Sequence, residues 1–169
     1  RRFEAGASML GSFAPQQRAL FLLADGEASL HLNDPARTKR QAETARAAAT
    51  DLRTKAQADL LKARAMLALG NSEPALTALG ELEKSPFAPV SARATYEKAL
   101  VESEKGPEGL AKAIRALDTL RYSWRGGSFE IDLLRTLGNL YIKGGDIRSG
   151  LSTLASAATL RPELPEARA

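Results

Sequence analysis

The feature that most constrains this chain is a punctuation that returns four times along its 169 residues. Asn33, Gly70, Gly106 and Gly145 stand 37, 36 and 39 residues apart, each between two amphipathic segments. A helix-opening residue follows each one closely: Asp34 and Pro35, then Ser72 and Pro74, then Pro107, then Asp146. Asn and Gly accept the left-handed backbone that closes a helix, Asp and Ser cap the next one, and Pro fits a first turn. Two helices in every 35 to 40 residues or so make the unit of a helical solenoid, whose neighbouring hairpins share a core. Longer breaks separate the later hairpins. "EKSPFAPVSA" carries Pro86 and Pro89, and "RYSWRGGSF" carries Gly126 and Gly127, so neither stretch sustains a helix.

Composition agrees with helices. Ala and Leu dominate, aromatics make up only 5%, and Val occurs only at Val90 and Val101. In the first segment Leu20, Leu23, Ala24 and Leu30 fall on one side, which predicts them as its buried stripe. The chain has no cysteine, which removes disulfides, thiolate metal sites and cysteine nucleophiles. Its longest apolar run, "ALFLLA" at 19–24, falls far short of the ~20 residues that span a bilayer. It begins at Arg1 rather than Met, so we expect a piece of a longer protein whose leader or anchor would lie outside it.

The last unit, "IDLLRTLGNLYIKGGDIRSGLSTLASAATLRP", resembles the tetratricopeptide repeat (TPR) family. Leu134 stands in the place of that motif's tryptophan, and Leu137 and Gly138 match its Leu-Gly pair. Tyr141 matches the tyrosine, Gly145 and Asp146 the turn, Ala157 the later small residue and Pro162 the terminal proline. Leu134 and Leu154 replace aromatics, and Gly150 takes a place usually held by alanine. That glycine suggests an unusually close helix contact, since glycine inside a helix costs about 1 kcal/mol relative to alanine. The second unit keeps Ala63, Met66, Gly70, Ala75 and Leu79, with Lys62 where leucine is expected. The third keeps Tyr96, Leu100, Leu117 and Leu120, with a length change around 106–109. The first keeps Gly26, Ala42 and Ala45. The resemblance implies one all-α domain over 1–169, a right-handed α-solenoid of about four hairpins at 15–52, 54–84, 90–122 and 129–162. A generic α-solenoid without TPR geometry is the alternative.

The resemblance also implies a non-enzymatic scaffold whose groove receives a protein or peptide. The first helix of each TPR hairpin lines that groove, and in the last unit Asp132, Arg135, Asn139, Ile142 and Lys143 flank the buried stripe. Arg135 and Asn139, four apart and so on one face, resemble half of the clamp with which some TPR co-chaperones hold a C-terminal carboxylate. The matching places elsewhere carry Leu60, Arg64, Glu97 and Val101, so the rest of the clamp is missing. "YSWRGG" sets Trp124 beside Tyr122, Arg121 and Arg125 at a hairpin junction. That is the composition of an interaction hot spot, and equally of a plug between hairpins three and four.

Chemistry of other kinds finds little footing. Gly145 and Gly150 have the spacing of a phosphate loop, but Leu151 and Ser152 stand where its Lys and Ser/Thr belong. No nucleophile and base pair up, and His31 with Asp34 offers two ligands at most, so no metal, cofactor or catalytic residue is expected. Asp25 with Glu27, and Glu102 with Glu104, sit two apart and read as solvated. The basic stretch from Arg37 to Arg64 would be the face for nucleic acid or an anionic surface, but it contains acids at helical spacing and no aromatic to stack on bases, so neither is the expected partner. A second functional reading makes the chain a regulatory or targeting domain of a larger enzyme or envelope assembly. The Ala/Arg/Leu-rich composition points to a bacterial protein of the envelope, periplasm or cytoplasm.

Overall fold

The computed structural model describes residues 10–160, and among them it contains eight α-helices and no strand. They are α1 (Pro15–His31), α2 (Pro35–Ala48), α3 (Leu52–Ala68), α4 (Ser72–Leu82), α5 (Ala88–Glu102), α6 (Gly106–Ser123), α7 (Gly127–Lys143) and α8 (Ile147–Leu160). Two helices correspond to each of the four expected hairpin intervals. Pro162 lies outside the described residues. The contacts divide into two compact units, one up to Ala94 and one from Thr95, the division falling inside α5.

The turns form as their residues dictate. Asn33, Gly70 and Gly145 all have positive φ, at 59°, 80° and 89°. Beyond each, the next N–H reaches back to a carbonyl five residues earlier: Asp34 to Ser29, Asn71 to Met66, and Asp146 to Tyr141, each at 2.9 Å. This bond satisfies a carbonyl the helix end would otherwise leave open. Gly106 also has positive φ, at 79°, but the residue after it is Pro107, which has no N–H to give.

A second regularity accompanies the turn. In hairpins one, two and four, a small residue seven before the left-handed position faces another five after it. The pairs are Gly26 with Thr38, Ala63 with Ala75 and Gly138 with Gly150, all buried. At the glycine-containing pairs the helices nearly touch. A Cβ on Gly138 would lie 2.7 Å from the Leu154 side chain and 3.1 Å from the Gly150 carbonyl, and one on Gly150 would lie 2.9 Å from the Gly138 carbonyl. Hairpin three breaks the pattern. Ala99 is buried as expected, but Ala111 is only half-buried, and Gly109, Ala113, Leu117 and Leu120 form the buried row of α6. Helix α6 starts at the left-handed residue itself, whereas its counterparts start two residues later. Its buried row begins two residues earlier as well. The length change expected around 106–109 is this two-residue shortening.

In the first unit, α1 packs on α2 and α3, α2 on α3, and α3 on α4. Leu22, Ala45 and Ala58 form one core cluster, and Leu60, Ala63, Leu79, Val90 and Ala94 another. Two expectations fail here. Helix α1 buries Ala19, Leu22, Asp25, Gly26 and Ser29, whereas Leu20 is 51% exposed and Ala24 is exposed too. Small residues allow close approach to α2 and α3, so the bulky Leu20 stays outside. Asp25 is not solvated but 4% exposed, held by Arg37 at 3.0 and 3.2 Å and by Gln41. In the second unit α7 packs against α6 and α8, with Ile131, Leu133 and Leu137 almost fully enclosed.

Candidate functional site

Helix α7 supplies the candidate surface. Its buried set is Glu130, Ile131, Leu133, Leu134, Leu137, Gly138 and Leu140. At 100° per residue those positions share one broad side, and Asp132, Arg135, Asn139 and Lys143 run along the opposite one. Asp132, Asn139 and Lys143 are exposed and Arg135 is half-buried. Four of the five expected residues thus form one outward stripe, whereas the half-buried Ile142 lies against Gly150 of α8. No hydrogen bond or ion pair to another described residue engages Asp132, Arg135 or Asn139.

Lys143 is committed elsewhere. Its ammonium pairs with Glu104 at 3.0 Å and reaches the Ser103 carbonyl at 3.5 Å, tying the end of α7 to the loop before α6. The Lys143 hydrogen bond holds the Glu104 carboxyl below its usual pKa. Beside this latch a cavity of about 510 Å³ opens over Leu110, Ala111 and Ile114. It lies over the half-buried Ala111; the close approach of hairpin three falls instead at Gly109, where an added Cβ would collide with the Glu102 carbonyl.

Trp124 and Arg125 sit before the start of α7, away from the far end of the stripe. Trp124 is half-buried, edge-on to Phe129 at 5.5 Å, and its indole N–H donates to the Gly126 carbonyl at 3.1 Å. Phe129 meets Tyr96 of α5 at 5.3 Å, and the Tyr96 hydroxyl bonds Thr136 at 2.8 Å. A run of aromatic contacts therefore links the junction to α5. Trp124 thus rests on Phe129 at the start of the fourth hairpin, while Tyr122 remains 66% exposed.

Tyr141, placed by the motif at the hairpin core, donates its hydroxyl to Asp118 of α6 at 2.9 Å. Burial, with the Asp118 hydrogen bond second, holds this phenol above its ordinary pKa. Asp146 accepts from the Ser149 N–H at 3.0 Å, capping α8 as the turn predicts, and that bond lowers its carboxyl pKa. His31 is exposed, and Asp34 accepts from the Arg37 N–H at 2.9 Å. In the basic stretch Arg37, Arg46, Lys62 and Arg64 pair with Asp25, Asp59, Glu43 and Glu27.

One participant was not legible in the sequence: Glu104, the partner of Lys143, lies 39 residues away, beyond any local spacing rule. Comparison of the chain with family models, curated proteins and solved structures gave no match. No helix among the described residues is long and apolar enough to cross a membrane.

Proposed function

We infer that the chain is a TPR-like repeat scaffold, a right-handed superhelix of hairpins that receives a segment of another protein along the outward stripe of α7. The observation that carries this reading is the alignment of Asp132, Arg135 and Asn139 on the side opposite the helix's buried set, with their polar groups uncommitted within the described residues. The recurring left-handed turns and the close Gly138–Gly150 crossing support the repeat geometry. A guanidinium and an amide four residues apart suit a carboxylate, which accepts from both. Lys143 acts as a structural latch and contributes charge rather than a contact.

Peptides ending in a free carboxylate, screened against their amidated forms by fluorescence anisotropy, test the reading. The free forms should bind more tightly, and Arg135→Ala or Asn139→Ala should weaken them about tenfold, a loss of roughly 1.4 kcal/mol. Equal affinity for free and amidated forms would remove the carboxylate-holding role of this pair.

A further inference from the structure

Helix α8 has an apolar sector wider than the one its own hairpin covers. Gly150, Thr153 and Ala157 are its buried row. Beside that row Ile147, Leu151, Ala155 and Ala158 fall within about 80° of one another at 100° per residue. All four are exposed, Ile147 to 51% and Leu151 to 59%. We propose that this strip is a dimer interface, on which α8 of a second copy of the chain packs antiparallel.

The register marks the face as one that receives a helix. The four residues stand two, six, ten and thirteen places beyond the left-handed Gly145. The same places beyond Asn33 hold Pro35, Lys39, Glu43 and Arg46. There Glu43 pairs with Lys62 and Arg46 with Asp59, at 2.9 and 2.6 Å, both on α3. On α8 the two pairing places are Ala155 and Ala158, so the helix that covers them must bring apolar side chains rather than ions.

Charge then selects the partner. From Ser149 to Leu160 the sequence has no ionisable residue, whereas each of the other seven helices carries at least two. An ion pressed against the strip would lose its water without gaining a partner. Among the described helices α8 alone offers a matching uncharged length, so its complement is its own copy. Size fixes the orientation. About a two-fold axis, an antiparallel pair sets Ile147 of each copy opposite Ala158 of the other, and Leu151 opposite Ala155. Every contact then joins a large side chain to a small one. A parallel pair would set Leu151 against Leu151 and alanine against alanine, leaving gaps. The strip runs about 16 Å along the helix. An interface of that size falls in the class below ~1,200 Å² in total, which gives weak complexes.

Sedimentation equilibrium on the full chain tests this. The wild type should dimerise with a Kd on the order of 100 μM, and added salt should not weaken the dimer. Leu151→Glu, at an exposed position, should weaken it at least about tenfold with an unchanged circular dichroism spectrum. Ala158→Ile alone should also weaken it about tenfold, because two isoleucines then meet where there is room for one. Adding Ile147→Ala should restore the affinity to within about threefold, since each contact again has one large and one small side chain. Arg135→Ala should leave dimerisation unchanged, so this strip and the α7 stripe stand or fall separately. A chain still monomeric at about 1 mM, indifference to Leu151→Glu, or tighter association of Ala158→Ile would each overturn the proposal.

Discussion

Asp25 is a carboxylate almost enclosed between α1 and α2, and its partner Arg37 comes from the first turn of the following helix. Removing one member of such a pair costs more than removing both, because the survivor is left buried and unpaired. Arg37→Ala should destabilise the fold by about 3 kcal/mol, whereas Asp25→Leu with Arg37→Met should cost far less; chemical denaturation of the three proteins checks this. The capping carboxylates act differently. Hydrogen bonds from Thr54 lower the pKa of Asp51, and those from Ser149 lower that of Asp146. A group depressed in the folded state stabilises fully above its unfolded pKa, near 3.9, and loses that contribution as pH falls through the folded value. Tyr141 has the opposite sign. Its raised pKa contributes fully below about 10, and the contribution fades as pH rises through the folded value. Thermal melts from pH 7 downward should therefore fall below about pH 4 and fall less for Asp51→Asn with Asp146→Asn. Above about pH 10 the wild type should lose stability that Tyr141→Phe does not.

Helix pairs meet through glycine and alanine, and two glycines of similar appearance in sequence behave oppositely. A Cβ on Gly150 would sit 2.5 Å from the Ile142 side chain and 2.9 Å from a backbone carbonyl that has no room to retreat. Overpacking of this kind costs about 1–3 kcal/mol, against a helix-propensity gain of about 1 kcal/mol. Gly150→Ala should thus lower Tm by about 2–4 °C. Gly80 lies inside α4 with nothing within 4 Å of an added Cβ, so Gly80→Ala should raise stability by about 0.5–1 kcal/mol. Calorimetry of both variants decides the matter, and a higher Tm for Gly150→Ala would refute the close crossing. Hairpin three shows what one residue does to an element. Pro107 withholds the N–H that closes the other turns, and α6 enters two residues early with a different row buried.

Contacts over the described residues run mainly between helices adjacent in the chain, or one helix removed, so stability should be local rather than global. In native-state hydrogen exchange, Gly150→Ala should loosen α7 and α8 while leaving the protection of α1 to α3 unchanged. Uniform loss of protection along the chain would contradict that picture. Short-range rules already contained much of this molecule. Turn residues, helix pairs and their intervals follow from backbone preferences that act within about six residues, as Asn33, Gly70 and Gly145 demonstrate. Periodicity also placed Arg135 and Asn139 on one face of α7, since that depends on helix geometry alone. Which face turns inward depends on neighbours. The stripe expected through Leu20 lost to one built on Ala19, Gly26 and Ser29, because close helix approach favours small residues over large ones. Long-range pairing was equally hidden. Lys143 with Glu104 and Asp25 with Arg37 join residues with no periodic relation. The order of residues determined the helices and their turns through local energetics, whereas packing between helices selected the buried faces and brought the distant ion pairs together.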